Sequence, residues 1–244
     1  MKRRTFVKNS ALAVSAMSIL PAMAMSQEKI SNAELIGKGS PEFVEKNGYR
    51  LRPAAAGAFD KMSAAAQQDG IQFQVVSSYR DYNHQNSIWE RKYKAYTAEG
   101  DAPEKAIDRI IEYSTIPGTS RHHWGTDVDI VDANGKNNGD LLVPSKFHGN
   151  GPYCKFKEWM SKNSEQYGYF LVYTDNFYRK GFKYEPWHYS YAPLSRNYLI
   201  DYKKLDVAQV LQEQKLLGSD HFTPQFIEKY RSENILDINP DLLT

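Results

Sequence analysis

The chain holds one cysteine, Cys154, in 244 residues. An internal disulfide is therefore excluded, and the fold must be held by its core. Free cysteine is among the most often buried side chains, so Cys154, next to Tyr153 and near Phe156, reads as a small packed hydrophobe. The sequence also lacks a charge imbalance: 25% of residues are charged, yet the formal net charge is only +2. No Lys/Arg run long enough for a phosphate-binding stripe follows residue 8. Both features exclude a nucleic-acid partner bound through a strong positive field. There is no internal repeat, no low-complexity tract and no clear linker. The apolar stretch Ala11 to Leu20 holds Ser15 and Ser18 and is too short for a comfortable membrane span.

What remains is an ordinary globular composition, with 41% hydrophobic residues. Aromatic residues reach 13%, including 17 Tyr, which suits clefts that stack on sugars or peptides as well as half-buried packing. The first 26 residues have the three zones of a signal peptide. Lys2, Arg3 and Arg4 form the positive region, Ala11 to Leu20 the apolar one, and Ala22-Met23-Ala24 or Ala24-Met25-Ser26 the cleavage site. Lys2-Arg3-Arg4-Thr5-Phe6-Val7-Lys8 resembles the twin-arginine export signal, a route that carries folded proteins. The expectation is a bacterial protein exported to the periplasm, without stable membrane insertion once the signal is removed. About 220 residues then remain, enough for one domain with one core.

Residues 27–52 are mixed and expected to wrap the surface. Helices are expected over 53–68, where Pro53 sits at the first turn, over 81–96, capped by Asp81, over 102–113 and over 153–163. Alternating apolar and polar residues predict strands over 71–77 and 126–131, and further strands are expected over 169–173 and 183–191. The polar stretch 132–140 begins like a calcium loop, but Lys136 stands where a ligand is needed, so it reads as a turn. The tail contains helical stretches near 207–217 and 223–231. Helices come first and strands cluster later, which points to an α+β fold. The expected organisation is a signal peptide over 1–26, a catalytic domain over 27–192 and a helical extension over 193–244 packed on it.

Three stretches stand out as chemistry: Ser77-Ser78-Tyr79-Arg80, Ser120 to Asp129 (Ser-Arg-His-His-Trp-Gly-Thr-Asp-Val-Asp), and Glu185-Pro186-Trp187-His188. A catalytic zinc takes three protein ligands and keeps one position for water. His122 precedes a strand, Asp129 lies inside it, and His188 comes from a second strand. Asp127 shares a strand face with Asp129, so composition does not decide which carboxylate is the ligand. Glu185 could serve as the base, provided a bend near Pro186 turns residues 185 and 188 to the same side. Arg80, at a strand end, could stabilise an oxyanion. Taken singly, each has a plainer reading: a packed histidine, a solvated aspartate or a salt-bridging arginine.

The second stretch resembles the Ser-x-His-x-x-Gly-x-x-x-Asp motif of the VanY-type D-alanyl-D-alanine carboxypeptidases, zinc metallopeptidases of the LAS type. The third resembles their Glu-x-Trp-His motif. The Ser-x-Tyr-Arg stretch, with Gln85 five residues after Arg80, is similar to an upstream motif, and Gly168-Tyr169-Phe170 also matches. The similarity covers roughly residues 45–192. It implies a small antiparallel sheet with surrounding helices, of the Hedgehog/D,D-peptidase kind. It implies Zn2+ on His122, Asp129 and His188, with Glu185 as base and Arg80 as oxyanion stabiliser. Ser120 and Gln85 would help hold the peptide, and Trp187 would shape the pocket. The implied substrate is a peptidoglycan stem peptide that loses its terminal D-alanine. An L,D-carboxypeptidase or a crosslink endopeptidase of the same architecture is the alternative, and a non-catalytic peptidoglycan-binding protein is a third. The chain departs from the family at Asp127, where a small or apolar residue is common, at the bulky His123-Trp124 pair, and in the tail beyond residue 192.

Overall fold

Pro53 opens the first long helix of the computed structural model, which describes residues 29–243 apart from 47, 137, 138 and 214. The expected signal peptide, residues 1–26, lies outside the described residues. A short helix α1 (Asn32–Leu35) and a hairpin of β1 (Val44–Lys46) and β2 (Tyr49–Leu51) lead into α2 (Pro53–Gln68). Then follow β3 (Phe73–Ser77), α3 (Tyr82–Ala98), α4 (Pro103–Ile110), β4 (Asp127–Asp132) and α5 (Cys154–Asn163). The chain ends with β5 (Tyr169–Leu171), β6 (His188–Tyr191), α6 (Ala192–Tyr202), α7 (Val207–Gln212) and α8 (Pro224–Tyr230).

The main sheet has four antiparallel strands in the order β3-β4-β6-β5. All six residues of β4 are buried, as expected of an inner strand covered on both sides. The core under the sheet is aromatic. Phe73 lies 5.7 Å from Phe156 and 5.8 Å from Trp159, and Phe59 lies 6.1 Å from Tyr169, all edge-on. Trp159 Nε1 donates to Asp69 at 2.7 Å, which satisfies its polar end. Asp81 caps α3 by accepting from the His84 N–H at 2.7 Å, as its sequence position predicts.

Several elements differ from expectation. The hairpin makes residues 29–52 more than a surface wrap: Leu35, Tyr49 and Leu51 are fully buried. The Arg50 N–H donates to Ser78 Oγ at 2.9 Å, and Tyr79 N–H donates to the Arg50 carbonyl at 3.2 Å, tying the hairpin beside the end of β3. The strand expected over 183–191 is confined to His188–Tyr191. Pro186 has no N–H for a ladder, and the His188 N–H closes a turn onto the Glu185 carbonyl at 3.1 Å. Immediately after β6 comes α6, absent from the sequence reading, with Pro193 in its first turn and Leu194, Tyr198, Leu199 and Tyr202 buried. Asp132 accepts from the N–H groups of Gln72 and Asn134, so its carboxylate organises a plain turn. Cys154 is half-buried, its thiol donating to the Gly149 carbonyl at 3.3 Å.

The tail packs on the rest through specific contacts. Tyr202 Oη donates to the Gly118 carbonyl at 3.0 Å, and Tyr230 Oη accepts from the Ile116 N–H at 3.0 Å. Asn239 Nδ2 donates to the Leu171 carbonyl at 2.9 Å, and Trp89 Nε1 donates to the Leu217 carbonyl at 2.9 Å. A Cβ at Gly181 would sit 1.8 Å from the Glu233 carbonyl oxygen, so the tail passes too close for any side chain there. Two of these contacts grip residues 116–118, just ahead of the Ser120–Asp129 stretch.

Candidate active site

The register of β4 and β6 decides which side chains meet. Asp129 is directly opposite His188, and Asp127 is opposite Ser190. In an antiparallel pair, opposed residues project from the same face, and so do residues two apart on one strand. Asp127, Asp129, His188 and Ser190 therefore share one face of the sheet.

His122 reaches that face from a 3-10 turn, Arg121–Trp124. Ser120 starts the turn, its hydroxyl accepting from the His122 N–H at 3.3 Å. Gly125 ends it at φ +69, and a Cβ there would fall 2.6 Å from Phe43 Cε1, so both conformation and space require glycine. His122 Nδ1 lies 2.7 Å from the Ser78 carbonyl, which can only accept. The proton therefore sits on Nδ1, and Nε2 is left as a free lone pair 3.4 Å from Asp129 Oδ2. On His188, Nδ1 faces Asp129 Oδ1 at 3.7 Å and Nε2 faces Asp127 Oδ2 at 3.4 Å.

His122, Asp129 and His188 offer one ligand atom each, all within 4.8 Å of one another, and all three residues are buried. Donors around a tetrahedral zinc at about 2.1 Å are separated by about 3.4 Å. The His122 Nε2–Asp129 Oδ2 separation of 3.4 Å matches that value, and His188 Nδ1 lies 3.7 Å from the other oxygen, Oδ1. Asp129 Oδ1 is buried with no hydrogen-bond partner, a costly state for a carboxylate unless a cation takes it up. Two imidazoles and a carboxylate with one face open to a cleft fit a zinc ion with room for water.

Electrostatics separate the roles. Burial, and then the charge of Arg80, push His122 down, so it stays neutral and ready to ligate. Burial opposes the charge on His188, but the hydrogen bond to Asp127 and the carboxylates of Asp129 and Glu185 prevail and raise its pKa to about 9. Burial also opposes ionisation of Asp129, yet His122, His188 and Arg80 hold its carboxyl below the usual value. Glu185 goes the other way: burial raises it, with His188 and Arg80 only partly offsetting that. A carboxylate in the same site with a raised pKa is suited to exchanging protons. The Pro186 turn puts Glu185 Oε2 2.9 Å from His188 Nδ1, so the bend demanded by the sequence spacing is a β-turn rather than a bulge.

Arg80, half-buried, lines the cleft with Glu185, and its Nε has no hydrogen-bond partner. Its backbone is fixed from both sides. The Arg80 N–H donates to the His122 carbonyl at 3.2 Å, and its carbonyl accepts from His123 Nδ1 at 2.7 Å. His123 Nε2 accepts from the Gly118 N–H at 3.2 Å, and burial drives the His123 pKa down to about 3. His123 is thus a neutral packed bridge and no ligand. Ser120 and Trp187 line the cleft, which has a volume of about 510 Å³, and Trp187 stacks 5.8 Å from Phe147. Gln85 lies behind the wall: it is fully buried and its Nε2 donates to the Thr115 carbonyl at 2.8 Å.

Sequence reasoning missed one network. Asp127, completely buried, accepts from Arg121 Nε at 2.9 Å, from Thr126 Oγ1 at 3.0 Å and from Ser190 Oγ. Arg121 Nη2 also donates to Ser190 Oγ at 2.7 Å. This network supplies the acceptor for His188 Nε2–H at 3.4 Å, so that the neutral ring would present Nδ1, the nitrogen beside Glu185 and Asp129, to a metal. The unusual Asp at position 127 was the available signal.

A small antiparallel sheet thus presents two imidazoles and one carboxylate that could hold a metal ion, with a glutamate and an arginine lining the same cleft. The chain belongs to the VanY family of D-alanyl-D-alanine carboxypeptidases, whose sequence profile matches residues 48–194. It is 30% identical over 172 residues to a D-alanyl-D-alanine carboxypeptidase of Enterococcus faecalis, covering 70% of this chain and 58% of that protein. The chain therefore spans less than two thirds of that relative's length. Its fold is similar to that of VanYB in complex with D-alanine-D-alanine, with a TM-score of 0.52 at 26% identity, covering 73% of this chain and 92% of the other. A VanY D,D-pentapeptidase mutant in complex with Zn(II) shares the fold at TM-score 0.51 and 24% identity, with 75% and 90% of the two chains covered.

Proposed function

We propose that this chain is a zinc-dependent D-alanyl-D-alanine carboxypeptidase that removes the terminal residue from peptidoglycan stem peptides. The observation that carries the reading is the convergence of His122, Asp129 and His188 with Glu185 and Arg80 on one open cleft. Zinc held by the first three residues would acidify a water and polarise the scissile carbonyl. Glu185 would accept a proton from the attacking water and hand it to the leaving amine, which its raised pKa favours. Arg80 would place its guanidinium against the oxyanion, since its Nε is free of other partners. Ser120 and Trp187 would bound the peptide. Gln85 would act from behind, by holding the Thr115 carbonyl that shapes the cleft wall. The leader-like first 26 residues support a periplasmic site of action, where such peptides occur.

Defined tri-, tetra- and pentapeptide stems incubated with the protein, with and without a chelator, test this by mass spectrometry. Chelator-sensitive loss of one D-alanine from the pentapeptide alone is the expected result. Loss from the tetrapeptide would move the assignment to an L,D-carboxypeptidase, and no loss from any stem would refute the proposed substrate class.

A further inference from the structure

Lys92 lies on α3 and lines the same cleft as the metal-ligating residues. It is half-buried, and its ammonium donates to Ser114 Oγ at 2.6 Å. Two residues further on, Lys94 is paired with Glu90 at 2.9 Å, whereas Lys92 has no carboxylate partner among the described residues. Arg91 beside it also lines the cleft and is likewise without an ion pair among them. Holding a cation half out of water without a counter-ion is unfavourable. Burial and the neighbouring Arg91 lower the ammonium's pKa, and Glu185 on the cleft floor and Asp140 oppose them. Arg80, Arg91 and Lys92 line the cleft against Asp129, Asp140 and Glu185 before any divalent metal is added, while Arg121, which also lines it, is balanced by Asp127. Thr115, next to Ser114, also lines the cleft, and its hydroxyl is buried with no partner.

We infer that Lys92, with Arg91 and the hydroxyls of Ser114 and Thr115, forms a carboxylate subsite that selects acidic peptides for the metal centre. The inference rests on the peptidase reading. A charged hydrogen bond from a half-buried ammonium is a strong recognition element, and Ser114 already holds the Lys92 chain in place, which limits the ordering needed on binding. A peptide substrate offers two such carboxylates. One is its C-terminal carboxylate beyond the scissile bond, and the other is a side-chain carboxylate upstream of it.

Three pentapeptides separate these sources. The first carries diaminopimelate at its third residue, with a side-chain carboxylate; the second carries L-lysine there; the third is the first with a C-terminal amide. Lys92→Gln is expected to raise KM about ten- to a hundred-fold for peptides bearing the recognised carboxylate, with kcat within about twofold. Zinc content should be unchanged, and Lys92→Arg should retain the selectivity. A penalty on both diaminopimelate peptides but not on the lysine peptide assigns the side-chain carboxylate. A penalty on both free acids but not on the amide assigns the C-terminus. Equal KM changes for all three peptides, or none, would overturn the subsite. Calorimetric binding of the same peptides to the zinc-loaded protein reads the subsite without turnover. If the wild type cleaves no peptide but prefers a carboxylate-bearing one, and Lys92→Gln abolishes that preference, the substrate reading fails while the subsite stands. Wild-type binding indifferent to the carboxylates would overturn the subsite itself.

Discussion

Asp127→Asn should uncouple the stability of the site from its shape. The carboxylate of Asp127 is fully buried and balances Arg121, whose side chain is only 5% exposed. The amide keeps the volume but removes the charge, leaving the guanidinium buried without a counter-ion. Breaking a buried pair in this way costs about 3–5 kcal/mol. The same change weakens the acceptor facing His188 Nε2 at 3.4 Å, and loss of such an outer partner lowers metal affinity about 10–100-fold. Urea denaturation of the metal-free protein measures the first effect, and zinc titration against a competing chelator measures the second. The double variant Arg121→Leu with Asp127→Ala removes both charges. It should recover most of the stability but not the zinc affinity, because no acceptor for His188 returns. An Asp127→Asn protein within about 1 kcal/mol of wild type, or one with unchanged zinc affinity, would refute the reasoning.

Glu185→Gln is expected to keep one zinc per chain while kcat falls about 10²-fold or more, measured by D-alanine release; undiminished turnover would remove Glu185 as the base. Gly125→Ala forces a Cβ into Phe43 at a left-handed φ, so it should cost about 1–3 kcal/mol in denaturation and weaken zinc binding by displacing the neighbouring His122 turn. The pKa of about 9 on His188 makes zinc uptake pH-dependent. At pH 7 the metal-free ring is protonated and must lose that proton to ligate, so apparent affinity should fall about tenfold per pH unit below 9. Calorimetry in buffers of different ionisation enthalpy should detect about one proton released at pH 7, and none at a pH well above 9.

Much of the site was legible because its residues lie in short segments whose spacing carries the geometry. Ser120 to Asp129 contains a cap, a turn, an obligatory glycine and a strand, and each is local. The choice between Asp127 and Asp129 was not legible. Both are buried on the same sheet face, and only the pairing of β4 with β6 puts Asp129 opposite His188 and Asp127 opposite Ser190. The bend at Pro186 could be required from spacing, but its form depends on a turn that ends the strand earlier than its composition suggests. The hairpin over 44–51 escaped because three-residue strands are too short to display a period. The helix α6 escaped because its first residues follow the strand without a break, although its buried residues Leu194, Tyr198, Leu199 and Tyr202 are spaced for a helix. The ammonium of Lys92 could not be read at all, since its lack of a carboxylate partner among the described residues is a property of the folded cleft.

One titration tests the central claim most directly. Zinc is added stepwise to metal-free protein while D-alanine released from a pentapeptide stem is measured. Activity should be absent at the start, rise linearly and break at one zinc per chain. Turnover without metal, or a fully zinc-loaded protein that releases no D-alanine, would contradict the account.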